Sequence, residues 1–272
     1  VSPLFYSGIL LILVGLCFKV GAAPFHFWTP DVYEGAPILI TSYMSTVVKV
    51  ASFAAFLRLF YFVFIPLHDF WTPVLLVIII ITLFVGNISA LMQSSFKRML
   101  AYSSISHAGY MLFAIVAVGS SSSAGILTYA TAYSLASVAA FAGLILVKKS
   151  EGSEQYFAFN GLGKRSPLLA FIITVSMLSL AGIPLTAGFI GKFMMFSTAM
   201  QDYHIILLLL AVANAAIGIF YYLRVVVHMY FKNEEPDTAE IVFPLNFKIV
   251  MVFTAVLTIL IGVYPDCIIS LL

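Results

Sequence analysis

The feature that most constrains this chain is a succession of long apolar runs, each about the length a bilayer requires. A membrane-crossing helix takes about 20 mostly apolar residues. Eight segments meet that requirement: 4–27, 37–63, 73–95, 99–119, 125–147, 167–200, 205–231 and 249–269. Breakers or charges separate them, at Pro30-Asp31 to Pro37, Pro66 to Asp69, Lys97-Arg98, 120–123, Lys148 to Ser166, Asp202, and Lys232 to Lys248. Runs such as 74–84 are continuously apolar and lack the alternation of a barrel strand, so helices are the reading that fits. The expected fold class is an all-α polytopic membrane protein with about eight transmembrane helices.

Composition sharpens what is excluded. With 62% hydrophobic and 9% charged residues, the chain lacks the polar surface of a soluble domain, which is about 25% charged. A water-soluble enzyme, a disordered chain and a nucleic-acid-binding domain are thereby excluded. A net charge of +2 is too weak to point to polyanion binding. Cys17 and Cys267 sit in apolar stretches and are expected to form neither a disulfide framework nor a metal site. No cofactor-binding motif stands out. The chain opens at Val1 without a basic n-region or cleavage site and reads as part of a longer protein.

Eight spans make the connections alternate between two faces. One face receives 28–36, 96–98, 148–166 and 232–248, with Lys97, Arg98, Lys148, Lys149, Lys164, Arg165, Lys232 and Lys248. The other receives 64–72, 120–124, 201–204 and both chain ends, with no lysine or arginine. Such a bias marks the basic face as cytoplasmic and puts both ends on the opposite side.

Thirteen lysines and arginines less these eight leaves Lys19, Lys49, Arg58, Lys192 and Arg224 within the spans. A lysine at mid-membrane costs about 2.5–3.5 kcal/mol on insertion scales. The eleven acids (Asp31, Glu34, Asp69, Glu151, Glu154, Asp202, Glu234, Glu235, Asp237, Glu240 and Asp266) all fall in loops or near span ends. The counter-charge must come from outside the chain, or the lysines must be neutral part of the time, because burial disfavours the charged amine. Arg58 and Arg224 lie near span ends, where snorkelling or structural pairing accounts for them. Lys19, Lys49 and Lys192 are deeper or beside helix breaks and are read as proton carriers. Ser42, Ser45, Thr46 and Ser52 fall on one side of Lys49 at helical spacing, a hydroxyl stripe able to hold water. Small residues Gly15, Ala22 and Ala23 surround Lys19. His107, with Ser103, Ser104 and Tyr110 at helical offsets, is a further candidate for proton transfer; His26 and His228, nearer span ends, are weaker ones.

Two spans should be broken. Gly21-Ala22-Ala23-Pro24-Phe25 follows Lys19, and Gly182-Ile183-Pro184, with Gly188 beyond, precedes Lys192. Proline removes a backbone donor and clashes with the preceding turn. The freed backbone groups are tolerated only in protein or facing a watery cavity. The two segments are five spans apart and so cross in opposite directions, the pattern of an inverted-repeat transporter.

Three stretches carry a family resemblance: Gly15-Leu-Cys-Phe-Lys19-Val-Gly-Ala-Ala-Pro24-Phe-His-Phe-Trp28-Thr-Pro-Asp31-Val-Tyr-Glu-Gly35-Ala-Pro37, then Arg98-Met-Leu-Ala-Tyr-Ser-Ser-Ile-Ser-His107-Ala-Gly-Tyr110, then Ala181-Gly-Ile-Pro184-Leu-Thr-Ala-Gly-Phe-Ile-Gly-Lys192-Phe. They resemble the antiporter-like membrane subunits of bacterial NADH–quinone oxidoreductase, respiratory complex I. The wording at 30–37 points to the subunit N branch rather than to the L and M subunits or the Mrp-type cation/proton antiporters, which share the broken helices and lysines.

The resemblance implies a fourteen-helix fold with two inverted five-helix repeats, of which this chain supplies helices seven to fourteen. Residues 1–63 would end the first repeat, 73–231 form the second, and 249–272 add a C-terminal transmembrane helix. Lys19 matches the lysine of broken helix seven, Lys49 the connecting lysine of helix eight, His107 the polar position of helix ten, and Lys192 the lysine of broken helix twelve. The first six helices are missing from this chain, with the glutamate that pairs with the first lysine. The implied function is proton translocation by a non-redox subunit of the NADH:quinone oxidoreductase in the bacterial inner (plasma) membrane. FMN, iron–sulfur clusters and quinone would reside in partner subunits. Expected partners are other complex I membrane subunits, including the missing N-terminal helices and neighbouring antiporter-like subunits, and the lipid bilayer. Alternatives are an Mrp-type cation/proton antiporter subunit and a scaffold that only anchors other subunits.

Overall fold

The structure is a computed structural model that describes residues 2–116, 122–201, 205–233, 241 and 243–269. Among the described residues ten helices carry the fold: α1 (Pro3–Val20), α2 (Trp28–Gly35), α3 (Ile38–Val63), α4 (His68–Leu91), α5 (Phe96–Val116), α6 (Ser122–Glu151), α7 (Pro167–Ala181), α8 (Ala187–Gln201), α9 (Ile205–Phe231) and α10 (Leu245–Val263). Among the described residues there is no strand, only a single antiparallel bridge between Ser95 and Gln155. Among the described residues seven helices (α1, α3, α4, α5, α6, α9 and α10) are long and apolar enough to cross a membrane. The chain is therefore a multi-pass membrane protein.

The expected span 167–200 is two helices, α7 and α8, of 15 residues each. At 1.5 Å per residue each covers roughly 22 Å, short of a hydrocarbon core of about 30 Å. The expected span 4–27 ends as a helix at Val20, and the chain turns before α2 begins. Connections expected at 96–98 and from Lys148 are partly helical: Lys97 and Arg98 lie in the first turn of α5, and Lys148 and Lys149 in the last of α6. Loop segments 120–121 and 202–204, the acids Asp202, Glu234, Glu235, Asp237 and Glu240, and span residues 117–119 lie outside the described residues.

Burial follows bilayer logic rather than water logic. Of the seven crossing helices α5 has the lowest mean hydropathy, 1.3, yet it is almost wholly buried. The α1 helix, at 2.0, is only 22% buried. Lipid solvates an apolar helix as well as protein does, whereas serines and a histidine must find partners inside the bundle. The polar helix therefore takes the centre, with α4 packed along it.

The apolar core is divided. One cluster gathers Phe96, Met99 and Leu100 of α5 with Leu144, Leu169, Tyr222 and Val225. A second gathers Met111, Leu112 and Phe113 of α5 with Leu13, Phe53, Leu75 and Leu207. Between them on α5 lie Ser103, Ser104, Ser106 and His107, all buried. A polar layer thus crosses the bundle at the level where α5 passes from one cluster to the other.

At the α5 N-terminal end, ion pairs gather the basic connections. Lys97, 2% exposed, donates to the carbonyls of Glu34 (2.8 Å) and Ala36 (2.7 Å) and lies 3.6 Å from Glu154. Arg98 pairs with Asp31 and Glu34, Lys148 with Glu154, and Arg165 with Glu151. Segments 31–36, 97–98 and 148–165 thus meet at one end of the bundle, as the alternation of spans requires.

Candidate proton-transfer site

Both helix breaks are built alike. α1 ends on Gly21 at φ 75°, with the Gly21 and Ala22 N–H groups closing back onto Phe18 and Cys17. α7 ends on Gly182 at φ 82°, closed by the Gly182 and Ile183 N–H groups onto Ser179 and Leu178. Left-handed backbone at a C-cap is glycine's role. Donors freed beyond each break are taken by side chains: the Ala23 N–H by the Thr82 hydroxyl at 3.0 Å, and the Gly188 N–H by Ser179 Oγ at 3.1 Å. Hydroxyls within the bundle thus replace the missing helical acceptors.

Lys192 is buried, and its ammonium donates to the last carbonyls of α7, Leu180 (3.1 Å) and Ala181 (2.8 Å). The carbonyl end of a helix carries partial negative charge and stabilises a cation. The broken helix therefore supplies the negative partner that no carboxylate supplies among the described residues. The Lys192 ammonium also sits 5.0 Å above the Tyr110 ring. Glycine is needed here for φ, and a Cβ on Gly182, coming within 2.8 Å of the Lys192 side chain, would make that side chain shift.

Lys49 is buried too, and its ammonium bonds outside its own helix. Ser45, Thr46 and Ser52 turn back onto carbonyls of their own helix. In an apolar helix the nearest acceptor for a serine or threonine is the preceding turn, and in α3 it wins. The Lys49 ammonium instead reaches α5, donating to the Ser104 carbonyl and hydroxyl, and lies 5.8 Å over the Tyr133 ring. π-helical turns, Met44–Val48 and Arg58–Val63, flank the Lys49 segment on both sides.

His107 lies between the two lysines. Its Nδ1 bonds with the Tyr129 hydroxyl and its Nε2 with the Tyr222 hydroxyl at 2.8 Å. A neutral imidazole has one donor and one acceptor nitrogen, so one hydroxyl donates and the other accepts. The Tyr133 ring is 4.8 Å from the imidazole and that of Tyr110 6.1 Å. The lysines thus touch opposite ends of one aromatic cage: Lys49 through Tyr133, Lys192 through Tyr110. The Tyr222 ring lies 4.5 Å from that of Tyr221, tilted at 54°; Tyr221 donates to Asn87 at 2.9 Å, and Asn87 donates to Asn214 at 3.4 Å.

Lys19 stands apart. It is exposed, in the last turn of α1, and shares with Lys49, Tyr33 and Trp28 the wall of a pocket of about 280 Å³. Among the described residues no carboxylate pairs with Lys19, Lys49 or Lys192. Arg224 lies over the Tyr156 ring and donates to the Gln93 carbonyl, a structural pairing, while Arg58 is exposed. His26 is buried at the α1 break, and His228 bonds with Asn160. The sequence pointed to the lysines and the histidine. It missed Tyr129, Tyr133 and Tyr222, whose signal is only that they are polar groups inside spans.

A family model described as NADH:quinone oxidoreductase/Mrp antiporter, transmembrane, matches residues 1–218. The chain belongs to that family. It is 45% identical over 266 residues to NADH-quinone oxidoreductase subunit N of Trichlorobacter lovleyi, covering 97% of this chain and 54% of that protein. Among solved structures, respiratory complex I from Thermus thermophilus with bound Aureothin matches with a TM-score of 0.86 and 36% identity, over 99% of this chain and 60% of that one. The Mrp complex from Dietzia matches with a TM-score of 0.89 at 19% identity, over 96% and 57%; at that identity the likeness is one of fold. The chain spans about half the length of the subunit N relatives it matches. In this family member the α7 break, Lys49, Lys192 and the aromatic cage are one connected assembly.

Proposed function

We propose that this chain is the C-terminal part of a proton-translocating membrane subunit of an NADH:quinone oxidoreductase, subunit N in type. One observation carries the reading: Lys49, His107 and Lys192 sit in a single buried polar layer between two apolar clusters, with no carboxylate beside them among the described residues. Likeness to subunit N supports it. Ammonium, imidazole and phenol groups can each give and take a proton. Protons would pass from Lys19, across its shared pocket, to Lys49, then past His107 and its tyrosines to Lys192 and the far side. Water must bridge the steps that these side chains do not span. The reaction itself, electron transfer from NADH to quinone, would take place in partner subunits holding the flavin, iron–sulfur clusters and quinone, and would shift the charges that Lys19 senses.

The same reading assigns the eight expected spans to helices seven to fourteen of a fourteen-helix fold. It makes 1–63 the end of one inverted repeat and 73–231 the second, with 249–272 as a final transmembrane helix. It places the basic end in the cytoplasm and both ends of this chain on the other side of a bacterial inner membrane. Neighbouring antiporter-like subunits and the preceding helices complete the site.

The test is proton pumping per NADH oxidised in the assembled complex. Lys49→Ala and Lys192→Ala should each lower that ratio or abolish pumping while the complex still assembles. An unchanged ratio would overturn the assignment. The fold shared with an Mrp complex favours a second reading, a cation/proton antiporter subunit. Co-purification separates them: NADH dehydrogenase activity in the particle supports the first, and sodium-dependent proton exchange without it the second.

A further inference from the structure

Away from the polar layer, a pocket of about 290 Å³ opens at the basic end, between the single turn Leu162–Arg165 and the end of α9. Lys164 and Lys232 both line it, with Asn233 beside them and Tyr230 and Phe231 on its rim. The turn is fastened to α9: the Gly161 N–H donates to the His228 carbonyl at 3.3 Å, and His228 Nδ1 meets Asn160 Oδ1 at 2.7 Å. Two lysines from distant parts of the sequence are thus held about one concavity. No acidic side chain lines it among the described residues.

Position selects the ligand. The pocket is at the end of a crossing helix whose outer side is apolar, with Phe231 78% and Phe220 62% exposed. Aromatic and lysine side chains at a span end mark the depth of lipid headgroups. Two ammonium groups and an amide offer charge-assisted donors to phosphate oxygens, and basic pockets at this depth favour anionic lipids. A soluble anion would use the lysines but not the apolar rim. We propose that this pocket seats the phosphate of an anionic phospholipid, with its acyl chains along Phe231 and α9. The inference rests on the multi-pass placement and not on the proton-transfer reading.

A photo-crosslinking amino acid at position 231, in the full-length protein within its intact complex, tests this in vesicles of phosphatidylethanolamine and phosphatidylglycerol. Adducts identified by mass spectrometry should be enriched in phosphatidylglycerol relative to its share of the bilayer. Lys164→Gln or Lys232→Gln should each reduce the enrichment about fivefold, and together about thirtyfold or to none. Lys164→Arg with Lys232→Arg should retain it, which separates lost charge from failed assembly. Lys149→Gln, an exposed lysine at the same end outside the pocket, should leave it unchanged. Adducts that merely mirror the bilayer, an equal loss with Lys149→Gln, or displacement of the lipid by inorganic phosphate would overturn the proposal.

Discussion

His107 shows how much a buried titratable ring depends on groups outside its own helix. Both ring nitrogens are occupied, by hydroxyls from α6 and α9. Removing one hydroxyl leaves a buried polar atom without a partner, a cost of about 1–3 kcal/mol. Tyr222→Phe should therefore lower the thermal stability of the subunit by that order and slow proton transfer, whereas Phe at exposed Tyr230 should do neither; scanning denaturation and a pumping assay check both. Helical offsets around His107 gave Ser103, Ser104 and Tyr110, because spacing along one helix reports only that helix. Its hydrogen-bonding tyrosines come from segments 22 and 115 residues away, and nothing in local spacing points to them. The Lys49 partner was hidden for a related reason: the ammonium bonds across to Ser104 of α5, and spacing along α3 reports only α3.

The broken helices were legible because glycine and proline act locally. The α7 break also organises the site, since its carbonyl end holds the Lys192 ammonium. Gly182→Ala would strain a residue at φ 82° and push a methyl group into the Lys192 side chain. It should cut pumping severely while costing stability only about 1–2 kcal/mol, and Lys192 labelling by an amine reagent should rise as the side chain is displaced. The join between α2 and α5 depends on Lys97, which caps the end of α2 through the Glu34 and Ala36 carbonyls. Lys97→Met should leave those carbonyls unsatisfied and lower the melting temperature of the subunit, by about 1–3 kcal/mol of lost stability. Lys149→Met, at an exposed site on α6, should not. The π-helical turns of α3 were invisible beforehand, since no proline or glycine marks them.

Across the bundle as a whole, the ion-pair network draws the basic segments 97–98 and 148–165 to one end. The positive-inside bias predicts that this end faces the cytoplasm. In a protein with Cys267 replaced by serine, Lys149→Cys should resist a membrane-impermeant maleimide in intact cells and react after permeabilisation. Asp69→Cys should behave the opposite way. Buried Cys17 should stay silent in both. The reverse pattern would place the basic end outside.

Local chemistry thus fixed the helical class, the approximate spans, both breaks and the residues that do not belong in lipid, because hydropathy, proline and charge each act over one or two turns. Only tertiary packing decided that the least apolar crossing helix is the central one, that Lys192 is held by a helix end and Lys49 by Ser104, and that tyrosines from two distant helices close on His107. In a bilayer a polar group must find its partner within the protein, and which partner it finds depends on the packing of segments far apart in the chain.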